Sequence, residues 1–267
     1  MSEITTRLRQ LKNDYPSLLN LTDQQRNELL LDLAARIEQH AQEIIAANAL
    51  DLVKMPVDDP KYDRLKLNPE RVNAIAADVR QVASLTTPLG IILEQRTLAN
   101  GLDLQKIRVP LGVVAVIYEA RPNVTIDVFS LCFKSGNAVV LKGGSEAIHS
   151  NQILVELIKQ SLLAHQINPD IVYLMPPERA AVYDLLNAVG LVDVCIPRGS
   201  QNLIQFVREN AKIPVIETGA GIVHTYFDQS GDVSSGAKII NNAKTRRVSV
   251  CNALDTLIIH YSRLAEL

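Results

Sequence analysis

Apolar residues recur close to helical period through the first ninety or so positions, and the pattern then changes. Thr22-Asp23-Gln24-Gln25 has the form of a capping box, in which the Thr22 side chain accepts from the third-residue amide while Gln25 reaches back. Leu29, Leu30, Leu33, Ile37, Ile44 and Ile45 follow, so one long amphipathic helix is expected, ended by Pro56 and the Asp58-Asp59-Pro60 turn. A further helix is expected over 69–82, with Val72, Ile75, Val79 and Val82 on one face. From Gly90 the period becomes two. Segments 91–96 and 102–109 flank Ala99-Asn100-Gly101, whose Asn-Gly pair predicts a tight hairpin turn. Such an arm is either a self-association surface or a plain edge ribbon, and the residues leave both open.

The remainder alternates strand and helix. Strands are predicted over 112–118, 137–141, 171–174 and 192–196, each a short apolar run. Helices are predicted over 124–134, 145–164, 178–189 and 202–210, followed by Val215-Ile216 and a last strand from Leu254 to His260. Repeated βα units predict an α/β fold, a Rossmann-like parallel sheet covered on both faces, with an N-terminal helical segment and a β-hairpin arm.

Composition narrows the function. Lys plus Arg number 27 against 29 Asp plus Glu, a net charge of −2, which gives no electrostatic footprint for nucleic acid or an anionic membrane. Trp is absent and Phe numbers four, so stacking platforms for bases are not expected. The start Met1-Ser2-Glu3-Ile4 carries no apolar signal core, and no run is long enough to span a bilayer. Three cysteines cannot all pair and none has CxxC spacing, so neither a disulfide framework nor a structural metal site is expected. These features predict a reducing, cytoplasmic setting.

Candidate chemistry gathers at strand ends and at one thiol. Cys251 follows Lys244, Arg246 and Arg247, cations of the kind that stabilise a thiolate, which makes it a candidate nucleophile; a small buried hydrophobe is the alternative. Cys132 and Cys195 lie in apolar runs where burial alone accounts for them. Lys142-Gly143-Gly144-Ser145-Glu146 follows a strand and opens a helix, where α/β sheets place ligands: the glycines admit a ligand to the backbone, Lys142 offers a cation and Ser145 can cap the helix. An ordinary turn with a surface lysine fits equally. Pro197-Arg198-Gly199-Ser200 repeats the arrangement and points to an anionic ligand along that edge. Glu217, in Glu217-Thr218-Gly219-Ala220-Gly221, is a candidate general base or a solvated turn residue. Asn123, in Glu119-Ala120-Arg121-Pro122-Asn123, suits an oxyanion donor or a helix N-cap.

Taken in order, the runs Val109-Pro110-Leu111-Gly112-Val113, Tyr118-Glu119-Ala120-Arg121-Pro122-Asn123-Val124-Thr125, Lys134 to Gly144, Ile196-Pro197-Arg198-Gly199 and the stretch from Asn242 to Ala253 resemble the γ-glutamyl phosphate reductase family of the aldehyde dehydrogenase superfamily. Arg246 and Val248 stand where many of its members carry Gln and Pro. The resemblance covers essentially the whole chain. It implies Cys251 as nucleophile, Asn123 with the Cys251 amide as oxyanion donors, and a cofactor held by Lys142, Gly143, Gly144, Ser145, Gly199, Ser200 and Glu217. Ser145 stands where an acidic residue would repel a 2′-phosphate, which implies NADP(H). The implied substrate is γ-glutamyl phosphate, with functional coupling to glutamate 5-kinase and homo-oligomers through the hairpin arm. The family continues beyond Leu267, so the resemblance further implies an amino-terminal part: a cofactor-binding domain over 1–245, an incomplete catalytic domain begun over 246–267, and little turnover by the chain alone. A non-catalytic nucleotide-binding or oligomerisation module of the same lineage is the alternative.

Overall fold

The computed structural model describes residues 2–59, 61–217, 221–246, 248 and 250–266. Pro60 of the expected turn, Thr218-Gly219-Ala220 beside Glu217, and Arg247 upstream of the thiol lie outside the described residues. Two compact units divide the chain, Met1–Glu217 and Thr218–Leu267. The division falls well before 245/246, so the segment that leads to Cys251 groups with the cysteine and not with the sheet.

The first unit begins with helices α1 (Glu3–Asp14), α2 (Asp23–Gln39), α3 (Ala41–Leu52), α4 (Tyr62–Leu65) and α5 (Pro69–Ser84). The capping box at Thr22 and Gln25 forms with both hydrogen bonds present. The single long helix does not form. At His40 the backbone turns to φ −98°, ψ 20°, separating α2 from α3, and α3 stops at Leu52 ahead of Pro56.

The hairpin arm pairs β1 (Ile92–Thr97) with β2 (Asp103–Ile107), antiparallel. Its turn is longer than a two-residue Asn-Gly loop: the Gly101 amide bonds back to the Leu98 carbonyl at 2.9 Å, and the Leu98 amide reaches the Leu102 carbonyl at 2.8 Å. Gly101 alone takes positive φ, +83°, while Asn100 spends its side-chain oxygen on the Leu102 amide. Both strands are exposed along their whole length.

The sheet of the first unit follows as β3 (Val113–Tyr118), α6 (Asn123–Lys134), β4 (Ala138–Lys142), α7 (Ile148–Ala164), β5 (Val172–Leu174), α8 (Arg179–Leu186), β6 (Val194–Arg198) and α9 (Gln201–Asn210). Strand order is β5-β4-β3-β6, all parallel, and Val215 adds one parallel bridge to Cys195 at the β6 edge. Helix α6 packs beside α7, and α8 beside α9. Every residue of β3 and β4 is buried, which is why these strands read as unbroken apolar runs. Phe129 and Phe133 of α6 stack at 5.4 Å beneath them.

The second unit is a small βαβ element. Strand β7 (His224–Phe227) runs parallel to β8 (Thr256–Ile259), and α10 (Val233–Thr245) crosses between them. The strand read from Leu254 to His260 therefore has a partner within this chain. Asp232 caps α10 by accepting from the Ser235 amide at 2.8 Å. Phe227 and Leu254 are its buried side chains among the described residues, and the Arg263 guanidinium lies 5.6 Å from the Phe227 ring.

Candidate functional site

The strand order reverses between β3 and β6, and parallel sheets bind ligands outside the carboxyl ends of strands at such a point. Glu119 follows β3; Gly199 and Ser200 follow β6. The N-terminus of α9 is the expected anion site, and the chain's own carboxylate fills it. The Ser200 amide and hydroxyl donate to Glu119 at 2.9 and 3.0 Å, while the same hydroxyl accepts from the Leu203 amide as N-cap. A Cβ at position 199 would lie 2.8 Å from the Glu119 carboxylate, so glycine admits the carboxylate rather than open space for a ligand. Next to Glu119, Ala120 holds φ +24°, a conformation rare for residues with a Cβ, and its amide donates to Glu146 at 3.0 Å.

At the end of β4, Lys142 is buried. Its ammonium donates to the carbonyls of Gly143 and Pro177, each at 3.1 Å, and burial pushes its pKa down, opposed by Glu178 and Glu146. It is not a surface lysine. Gly143 is required by close approach: a Cβ there would collide with the Asn151 carboxamide. That carboxamide ends a relay in which the Tyr118 hydroxyl bonds Thr125 at 2.6 Å and Thr125 donates to Asn151 at 2.8 Å, tying β3, α6 and α7 together under the glycines. A small hollow opens there, lined by Gly143, Gly144, Ile148, Asn151, Leu174, Met175 and Pro177.

Ser145 does not cap α7. It opens a short 3-10 turn after Gly144, and α7 starts at Ile148 with no side-chain cap of its own. Its orphan amides are met from α3, where Asp51 accepts from the amides of His149 at 3.1 Å and Ser150 at 2.8 Å.

Asn123 is the first residue of α6, with Pro122 in the N-cap position, so the N-cap role fails. Its Nδ2 donates to Asp127 Oδ2 at 2.9 Å. Burial pushes the Asp127 carboxyl up to about 6, with Asp78 adding to the rise and the Asn123 hydrogen bond and Arg198 working against it. Asp127 was not singled out in the sequence; the signal was an amide and a carboxylate four apart at a helix start. Glu217 accepts from Arg208 at 3.4 Å through Oε1, while its buried Oε2 has no hydrogen-bond partner among the described residues.

In the second unit Cys251 is exposed, on the turn between α10 and β8. Of the cations upstream, the Lys244 ammonium donates to the Leu254 carbonyl at 2.9 Å, and Arg246 is exposed. Cys132 and Cys195 are buried, and burial pushes both thiols up to about 12.

Residues 2–267 match the aldehyde dehydrogenase family. The chain is 62% identical over its whole length to a γ-glutamyl phosphate reductase of Legionella pneumophila (strain Lens), covering 64% of that protein. It is 60% identical over 99% of its length to one from Pelodictyon phaeoclathratiforme, covering 63%. A crystal structure of γ-glutamyl phosphate reductase from Thermotoga maritima superposes with a TM-score of 0.89 at 33% identity, over 98% of this chain and 64% of that one. The chain thus spans a little under two thirds of the relatives it matches. An acetylating aldehyde dehydrogenase from Geobacillus thermoglucosidasius, at 18% identity and a TM-score of 0.73, shares the fold.

Proposed function

Because this chain belongs to the aldehyde dehydrogenase family, we propose that it carries the reductive chemistry of its relatives: conversion of γ-glutamyl phosphate to glutamate 5-semialdehyde with release of phosphate, a step of proline biosynthesis. Identity near 60% along the entire chain with proteins named γ-glutamyl phosphate reductase carries this reading. The Cys251 thiolate attacks the acyl carbon, a C–S bond forms, and the carbonyl oxygen takes the negative charge. Asn123 and the Cys251 backbone amide donate to that oxygen. Collapse breaks the bond to phosphate, which leaves with its electron pair, and a thioester remains on Cys251. A bound nicotinamide cofactor would supply hydride to the thioester carbon; the C–S bond then breaks, which frees the aldehyde and returns the Cys251 thiolate.

The ends of β4 and β6 are proposed to hold that cofactor, through Lys142, Gly143, Gly144, Ser145, Gly199 and Ser200, with Glu217 on the same edge. The remaining Lys142 N–H fits an adenosine ribose. The α9 N-terminus fits a phosphate only when Glu119 leaves it. NADPH is preferred to NADH in this reading because Ser145 carries no charge. The exposed apolar side chains of the arm, among them Ile92, Leu93, Leu104 and Ile107, support homo-oligomers through it. An acyl phosphate hydrolyses readily, which favours functional coupling to the kinase that makes it, glutamate 5-kinase in this reading. Among the described residues no helix is long and apolar enough to cross a membrane. A cytoplasmic setting, with all three cysteines free, completes the proposal. The test is oxidation of glutamate 5-semialdehyde with NADP⁺ by the complete protein that carries this chain. Turnover that requires phosphate is expected; turnover indifferent to phosphate overturns the reading.

A further inference from the structure

Asn123 and Asp127 stand one turn apart at the start of α6, joined by the Nδ2 to Oδ2 hydrogen bond at 2.9 Å. A carboxamide can present either its amide end or its carbonyl end, because rotation of the side chain by half a turn exchanges them. An ionised carboxylate only accepts, so it selects the amide end. The second N–H of Asn123 has no partner among the described residues. We propose that Asp127 is a positioning residue: its carboxylate holds the Asn123 carboxamide amide end forward, leaving the second N–H for the oxyanion.

This rests on the reading of Asn123 as oxyanion donor. The charged groups that act on Asp127 are Asp78 from α5 and Arg198 from the end of β6, of opposite sign. Burial and Asp78 bring its titration up to about 6, within reach of ordinary assay conditions. Protonated Asp127 gains an O–H that can donate to the Asn123 carbonyl oxygen, and the selection between the two ends is lost. Acylation then slows on the acid side.

The test compares single-turnover acylation of the complete protein across pH 5 to 8 with that of Asp127→Asn, Asn123→Ala and the double variant. The wild-type rate is expected to fall on an acid limb near pH 6. Asp127→Asn should slow acylation about three- to tenfold at neutral pH, flatten that limb and leave the KM for NADPH unchanged, and it should add nothing in the Asn123→Ala background. In the wild-type protein the Asn123 side-chain amide NMR signals should shift with a midpoint near 6, a readout that needs no variant to fold. If Asn123→Ala acylates normally, the oxyanion reading itself fails. If Asn123→Ala is slow but the two substitutions act additively, or the Asn123 signals do not titrate, the positioning role of Asp127 is overturned.

Discussion

Strands of similar composition meet opposite surroundings in the two units. Val113–Tyr118 and Ala138–Lys142 are buried at every residue between two helical layers. Thr256–Ile259 is as apolar, yet Leu257 and Ile258 remain 36% and 46% exposed, and the hairpin arm is exposed throughout. An apolar run states a capacity for burial, and neighbouring layers decide whether it is used. The chemistry divides in the same way. The first unit closes its polar groups into internal partnerships, Glu119 on Ser200, Asp51 on α7, Lys142 on two carbonyls, whereas the second leaves its thiol on an exposed turn.

The largest expected contrast lies among the three cysteines. Iodoacetamide at pH 8 should label Cys251 ahead of Cys132 and Cys195 by about 10³-fold or more, since a thiol titrating at about 12 is ionised there only about once in 10⁴. Peptide mapping that finds Cys132 or Cys195 labelled first breaks the contrast.

Asn123→Ala comes next. In the complete protein it should lower the acylation rate by about 10²–10³ while leaving cofactor affinity nearly unchanged, as one donor to developing charge is lost. An unaltered single-turnover rate removes Asn123 from that role.

Asp127 gives a smaller effect of unusual sign. A carboxyl raised from 3.8 to about 6 binds its proton more tightly folded than unfolded, so stability is lost as pH rises through that window, and the whole cost is present above it. Asp127→Asn should therefore stabilise the protein by about 1–3 kcal/mol at pH 7, with the difference vanishing below about pH 4. Denaturant midpoints at the two pH values measure it. Destabilisation at pH 7 would mean that the hydrogen bond to Asn123 outweighs burial.

The smallest is at Lys142. Lys142→Ala should weaken NADPH binding about tenfold and narrow the preference over NADH, the size expected for one charge-assisted hydrogen bond. Equal affinities of both cofactors for the parent protein, or no effect of the substitution, would take Lys142 out of the cofactor site.

Local signals survived into the structure where a few neighbouring residues decide the outcome. The Thr22 capping box, the helix over 69–82, and the apolar strands that became β3 and β4 belong to this class. His40 interrupts the first long helix without Gly or Pro, so nothing local announced it. Strand β7 was missed because His224–Phe227 is short and mixed, and only pairing with a strand about thirty residues on identifies it. At the site, the sequence placed Gly143, Gly199 and Ser200 on strand ends but read their surroundings as open. Glu119 fills the space at Gly199 and Ser200 from about eighty residues away, a pairing that no spacing rule reaches, and Asn151 fills that at Gly143 from the next helix.

The acyl acceptor itself gives the most direct test. The complete protein is incubated with glutamate 5-semialdehyde and NADP⁺ but no phosphate, so that the thioester has no phosphate to discharge it, and is then digested and mapped by mass. The account predicts a glutamyl adduct on Cys251 that disappears when phosphate is added, and a Cys251→Ser variant that forms no adduct and loses turnover by about 10³-fold or more. An adduct on Cys132 or Cys195, or sustained turnover by Cys251→Ser, would contradict it.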